Sequence, residues 1–183
     1  IDATMYKLYG LDFFDSVLLT GDYQKKDIRF LEEKRGIKQK TLVTVGCTYL
    51  DSLKQKIDSI PQKENKNFTV LISPSWGKSS LLYKYGESLI KPLSETSWTI
   101  IIRPHPQSKK SEPEINKKLT KEFACKPNIK WDYENDNIYS LKEADIMISD
   151  FSGIIYDFMF LCDKPVLYVN AELDLTPYDA WDI

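Results

Sequence analysis

The chain has 183 residues, 42% hydrophobic and 13% aromatic, which is enough apolar material for a packed core and argues against disorder. Its 25 basic and 27 acidic residues leave a formal charge of −2, and this excludes the electrostatic footprint of a nucleic-acid binder. The three cysteines, Cys47, Cys125 and Cys162, lack metal-ligand spacing and read as reduced, cytosolic thiols.

In chain order, Ser16–Gly21 predicts a short buried strand ending in a turn. Asp22 is placed to cap the next helix, whose Ile28, Leu31 and Lys34 stem face inward and which Gly36 closes. Leu42–Gly46 is a second strand, followed by a helix through Tyr49, Leu50, Leu53 and Ile57. Pro61–Asn67 is polar and charged and is the best linker candidate, so residues 1–66 and 67–183 are expected to be separate pieces. The start at Ile1 and the abrupt end read as a segment of a longer protein. Asp157 breaks the longest apolar stretch, so no membrane span is predicted.

Beyond the linker the pattern becomes regular. A strand at Phe68–Ile72 runs into Ser73-Pro-Ser-Trp-Gly77, and the following helix carries Leu81, Leu82, Tyr85, Leu89 and Ile90. Trp98–Ile102 is a strand that ends in Arg103-Pro-His-Pro106. A charged helix around Ile115–Phe123, a strand at Asn128–Asp132 and a helix through Ile138, Leu141 and Ala144 follow. Ile146–Ile148 is a buried strand ending in Ser149-Asp-Phe-Ser-Gly153. A helix with Ile154, Ile155, Phe158 and Leu161 then leads to a strand around Lys164–Tyr168, and Asn170 onward has only weak periodicity. Strand and helix alternate throughout, which predicts an α/β, Rossmann-like, doubly wound parallel sheet.

In such a sheet the loops Ser73–Lys78, Arg103–Pro106 and Ser149–Gly153 share one rim, where open α/β sheets bind ligands. A helix amino end there suits a phosphate, through its free N–H groups and its dipole. Ser149, Ser152 and the Gly153 amide are the candidate contacts. Asp150 would repel a phosphate and is expected to turn back and brace the loop, although Ser152 serves equally as a helix cap. His105, the single histidine, lies between two stiffening prolines and is the candidate acid, base or donor. Arg103 offers a bidentate fork to phosphate, or pairs with an acid such as Glu112. Trp76-Gly-Lys-Ser-Ser80 is not a nucleotide P-loop, because Ile72 stands where the first glycine belongs. Gly77, Ser79 and Ser80 still sit at a helix start, which Ser79 is placed to cap. No residues suggest a metal centre, and Asp132, Glu134 and Asp136 read as a turn.

With these loops placed, the chain resembles the CDP-glycerol glycerophosphotransferase family, the teichoic-acid-type polymerases built on the GT-B fold. The matching segments are Val45-Gly-Cys-Thr-Tyr-Leu-Asp51, Ile72-Ser-Pro-Ser-Trp76, Ile102-Arg-Pro-His-Pro106, Ala144–Asp157 and Lys164-Pro-Val166, in family order. The resemblance implies that residues 67–183 are the carboxyl-terminal, nucleotide-binding half and that residues 1–66 trail from the acceptor half. It implies no cofactor, a CDP-activated polyol donor, a polymer or lipid-linked acceptor, and cytoplasmic work at the inner membrane face. It assigns catalysis to His105 and donor binding to Ser75, Trp76, Gly77, Arg103, Ser149, Ser152 and Gly153, with Asp150 bracing. Gly153 stands where the family usually has a second serine. The competing expectations are a sugar-nucleotide GT-B enzyme or UDP-N-acetylglucosamine 2-epimerase relative, and a non-catalytic assembly module.

Overall fold

The computed structural model describes residues 10–61 and 67–170. The linker expected at Pro61–Asn67 and the segment after Asn170 therefore lie largely outside the described residues. The described residues divide into two compact units, one of residues 10–51 and one of residues 52–61 and 67–170.

In the first unit, β1 (Ser16–Leu19) pairs in parallel with β2 (Thr41–Thr44), and α1 (Tyr23–Arg35) connects them. Gly36 ends α1 in the left-handed conformation (φ 62°), where its N–H reaches the Glu32 and Glu33 carbonyls. Two local expectations change here. β1 is not a buried strand: only Leu19 is covered and Leu18 is 69% exposed, because a two-stranded sheet shields few faces. Asp22 precedes the helix without capping it, and its carboxylate pairs with Thr44 and Lys25 instead. Lys34 also stays exposed, its ammonium 5.4 Å from the Phe30 ring. α2 (Thr48–Ser59) starts in this unit and runs into the second.

The second unit is the alternating stretch. Its elements are β3 (Thr69–Ile72), α3 (Leu81–Ser94), β4 (Thr99–Ile102), α4 (Ser108–Ser111), α5 (Pro113–Glu122), β5 (Ile129–Trp131), α6 (Ile138–Glu143), β6 (Ile146–Ser149), α7 (Ile154–Cys162) and β7 (Val166–Tyr168). All strand pairs are parallel, as the alternation predicts, and the strands lie in the order β5-β4-β3-β6-β7. The central strands Thr-Val-Leu-Ile, Thr-Ile-Ile-Ile and Ile-Met-Ile-Ser are apolar almost throughout because both faces are covered. Val70, Ile72, Ile100 and Ile102 pack with Leu81, Leu82 and Ile90 of α3 and Leu119 of α5. Leu71, Ile101 and Met147 alternate with them and are equally buried on the other face. Each such side chain contributes about 1.5–3 kcal/mol on burial.

The chain order decides where a ligand can bind. From β3 it moves outward through β4 to β5, then returns to the other side of β3 to lay down β6 and β7. Right-handed crossovers put helices on opposite faces before and after that reversal. The reversal leaves a crevice beyond the carboxyl ends of β3 and β6, the switch point of a doubly wound sheet. Among the described residues no helix is long and apolar enough to cross a membrane.

Candidate functional site

The loops leaving β3, β4 and β6 emerge on one rim, because the three strands are parallel neighbours. At the crevice itself, Ser73 extends the β3–β6 ladder by donating its N–H to the Ile148 carbonyl at 3.1 Å. Asp150 then crosses back from the end of β6. Its Oδ1 accepts from the Ser75 amide and its Oδ2 from the Leu81 amide, each at 2.7 Å, and the residue is fully buried. One carboxylate thus ties the β3 loop to the start of α3 and neutralises that helix's amino end. Ser80 accepts from the Tyr83 amide at 3.4 Å, so Ser80 and not Ser79 caps α3.

The amino end of α7 is arranged differently. Gly153 occupies the cap position at φ −61°, and no side chain caps the helix. Ser152 accepts only a backbone bond, from Ile155 at 3.3 Å, and Gly153 is exposed. A methyl group built on Gly153 would meet nothing within 4 Å, so the space beside this helix end is open. Two helix amino ends therefore sit at the switch point, and a carboxylate occupies one of them.

His105 is half-buried, with its ring centroid 6.4 Å from that of the 42%-exposed Trp76. Its Nδ1 accepts from the Gln107 amide at 3.1 Å. Burial pulls its pKa below the usual histidine range and outweighs the opposing pull of Asp150 and Glu112. Gly77, next to Trp76, holds φ +91°, a conformation that a Cβ would strain. Ser75 is buried, and among the described residues its hydroxyl oxygen has no hydrogen-bond partner.

Two residues that the sequence offers to a phosphate are engaged elsewhere. Ser149 is fully buried, and its hydroxyl donates to the Ser73 carbonyl at 2.6 Å. Arg103 is also buried. It binds Asp132 at 2.6 Å, and also the Glu134 carbonyl at 2.7 Å, and Glu112 is not its partner. Asp132 further accepts from the Ser140 hydroxyl and, at 2.9 Å, from the Glu134 amide. Burial raises the Asp132 pKa, but the Ser140, Glu134 and Arg103 contacts outweigh it and hold the carboxyl below its usual range. Arg103 thus clamps the β4 loop, two residues before His105, to the loop after β5. Sequence reasoning missed this clamp and the Gln107 amide. The first leaves only an Arg and an Asp at strand ends as a signal, and a backbone amide leaves none.

A cavity of about 400 Å³ lies on the opposite edge of the sheet. It is lined by Lys54, Tyr139, Lys142, Cys162 and Lys164, beside the segments entering β6 and β7. Lys164 is bonded there to the Lys142 and Ala144 carbonyls. Carboxylates face its lysines: Lys54 pairs with Asp58 at 2.5 Å, and Glu143 and Asp145 also line the cavity.

A family model described as CDP-glycerol:poly(glycerophosphate) glycerophosphotransferase matches residues 17–180. No curated protein matches the chain. Among solved structures, a histidine-to-asparagine variant of the wall teichoic acid polymerase TagF soaked with CDPG is 17% identical, with a TM-score of 0.48 over 91% of this chain and 40% of that one. TagF itself is 16% identical, with a TM-score of 0.45 over 85% of this chain and 38% of that one. A glycosyltransferase from Rickettsia africae ESF-5 is 16% identical, with a TM-score of 0.44 over 93% of this chain and 51% of that one. The chain thus spans 38% to 51% of the length of these proteins.

Proposed function

The chain belongs to the CDP-glycerol:poly(glycerophosphate) glycerophosphotransferase family, and from that premise we propose that it carries the donor site of a transferase. The enzyme moves glycerol phosphate, or a related polyol phosphate, from a CDP-activated donor to a hydroxyl of a cell-surface polymer. The acceptor oxygen attacks the β-phosphorus and forms the new P–O bond. The bond from that phosphorus to the bridging oxygen breaks, CMP leaves with the electron pair, and the acceptor's proton passes to a base. Such chemistry depends on positioning and on stabilising charge at the phosphates.

What supports this reading is the contrast between the two helix amino ends. Asp150 occupies the end of α3, whereas α7 has no side-chain cap at Gly153, and the space beside that glycine is open. A diphosphate fits the second, where the helix dipole adds to the free N–H groups. Ser152 lies at that helix end, His105 carries its imidazole on the β4 loop, and Trp76 presents an aromatic face. Asp150, Ser149 and Arg103 brace the loops from behind. Residues 67–183 act as the nucleotide-binding half and residues 1–66 as the trailing part of the acceptor half. The full-length protein works in the cytoplasm, peripherally at the inner membrane face, while this chain alone binds donor without turning it over.

Thermal unfolding with nucleotides tests the reading. At about ten times Kd, CDP adds about 1.4 kcal/mol of stability, a rise in Tm of roughly 3–6 °C. CDP and CMP are expected to exceed UDP at equal concentration. A larger effect of UDP would point to a sugar-nucleotide enzyme, and no effect of any nucleotide would overturn the donor-site reading.

A further inference from the structure

Resting on that donor site, we propose that His105 acts as a neutral imidazole donating Nε2–H to the donor's diphosphate, its tautomer fixed by the backbone amide of Gln107. The hydrogen bond from the Gln107 N–H to Nδ1, at 3.1 Å, places a hydrogen where a ring proton would otherwise sit. Nδ1 must then offer its lone pair, and the neutral ring carries its proton on Nε2. An imidazolium would set two hydrogens against each other, so charging the ring requires this bond to break.

The local chain explains why the amide is in place. Pro104 and Pro106 fix the backbone on both sides of His105. The His105 carbonyl accepts from the Ser108 amide at 2.9 Å and from the Ser108 hydroxyl at 2.7 Å, which closes the turn into α4. That turn folds Gln107 back over the ring, and the Arg103–Asp132 clamp holds the strand end before it. Among the described residues nothing accepts from Nε2. The charged groups that act on the ring are Asp150, from the end of β6, and Glu112, from between α4 and α5. Both favour a cation, and burial opposes them with the larger effect.

The assignment narrows the chemistry. Nε2 already holds its proton and so cannot take one from the acceptor hydroxyl. His105 therefore contributes a hydrogen bond that strengthens as charge grows on the phosphate oxygens, and a different group serves as base. Gln107 is a positioning residue that acts through its main chain.

Because His105 is the single histidine of the chain, labelling histidine with ¹⁵N isolates one imidazole. Two-bond ¹H–¹⁵N spectra of the free chain at pH 7 are expected to show a bare Nδ1 and a protonated Nε2. Saturating CDP is expected to shift Nε2 while Nδ1 stays bare, and the ring should titrate below about pH 6.5. An imidazolium at pH 7, or an Nδ1–H tautomer, with CDP still bound would overturn this inference alone. The expected tautomer with CDP bound and no response of Nε2 would overturn the role given to that proton, whereas no binding of CDP at all would overturn the donor-site reading.

Discussion

Replacing Asp150 with alanine is expected to lower the stability of the chain by about 2–6 kcal/mol, a large part of the 5–15 kcal/mol of an ordinary domain. The variant strips the acceptor from two backbone amides, Ser75 and Leu81, in a site with no exposed surface. Each stranded donor costs about 1–3 kcal/mol. Asp150→Asn keeps one acceptor oxygen and turns an N–H₂ group toward the second amide, so its loss should be about half as large. Urea denaturation of the three proteins measures this directly. An alanine variant within about 0.5 kcal/mol of the parent would mean that the two bonds do not hold the loop.

The second large effect concerns ligand binding. His105→Ala removes one hydrogen bond to a charged group, worth about 1.5–3 kcal/mol, and should weaken CDP binding roughly 10- to 100-fold. His105→Gln places an amide N–H₂ near the position of Nε2 and is expected to recover much of that loss, whereas a site that needed a cation would gain nothing from it. The pH dependence has a defined sign. The folded-state pKa of His105 lies below its ordinary value. Its contribution to stability is therefore complete above about pH 6.5 and is lost as pH falls through the folded-state value. Calorimetric titration of the parent and both variants supplies all of these numbers, and equal affinity of parent and His105→Ala would remove His105 from the site.

The sheet was legible because its strands announce themselves. Thr69–Ile72, Thr99–Ile102 and Ile146–Ser149 are short, β-branched and apolar, and each is followed by a polar break and an apolar helical stripe. Parallel topology then places the three loops on one rim without further information. The sequence also shows that Asp150 and a phosphate repel, but not which amides the carboxylate meets. Strand register was not legible, and it decides the fate of Arg103 and Ser149. Pairing Ile102 with Trp131 brings Arg103 beside Asp132, 29 residues away. Pairing Ile72 with Ile148 brings Ser149 beside the Ser73 carbonyl, 76 residues away. Nothing local to Arg103 names its partner, so Glu112, close in sequence, looked as suitable. The caps differed for a related reason. Asp22 and Ser79 have the right chemistry for helix starts, but Thr44 and Lys25 engage the first, and the helix begins one residue later than the second.

A crystal structure of the chain soaked with CDP tests the central claim most directly. It should show the diphosphate on the Gly153 and Ile154 amides at the start of α7, with Nε2 of His105 within about 3.2 Å of a phosphate oxygen. Nucleotide density at the α3 end beside Asp150, in the cavity on the opposite edge, or anywhere that leaves His105 without a phosphate contact would contradict it.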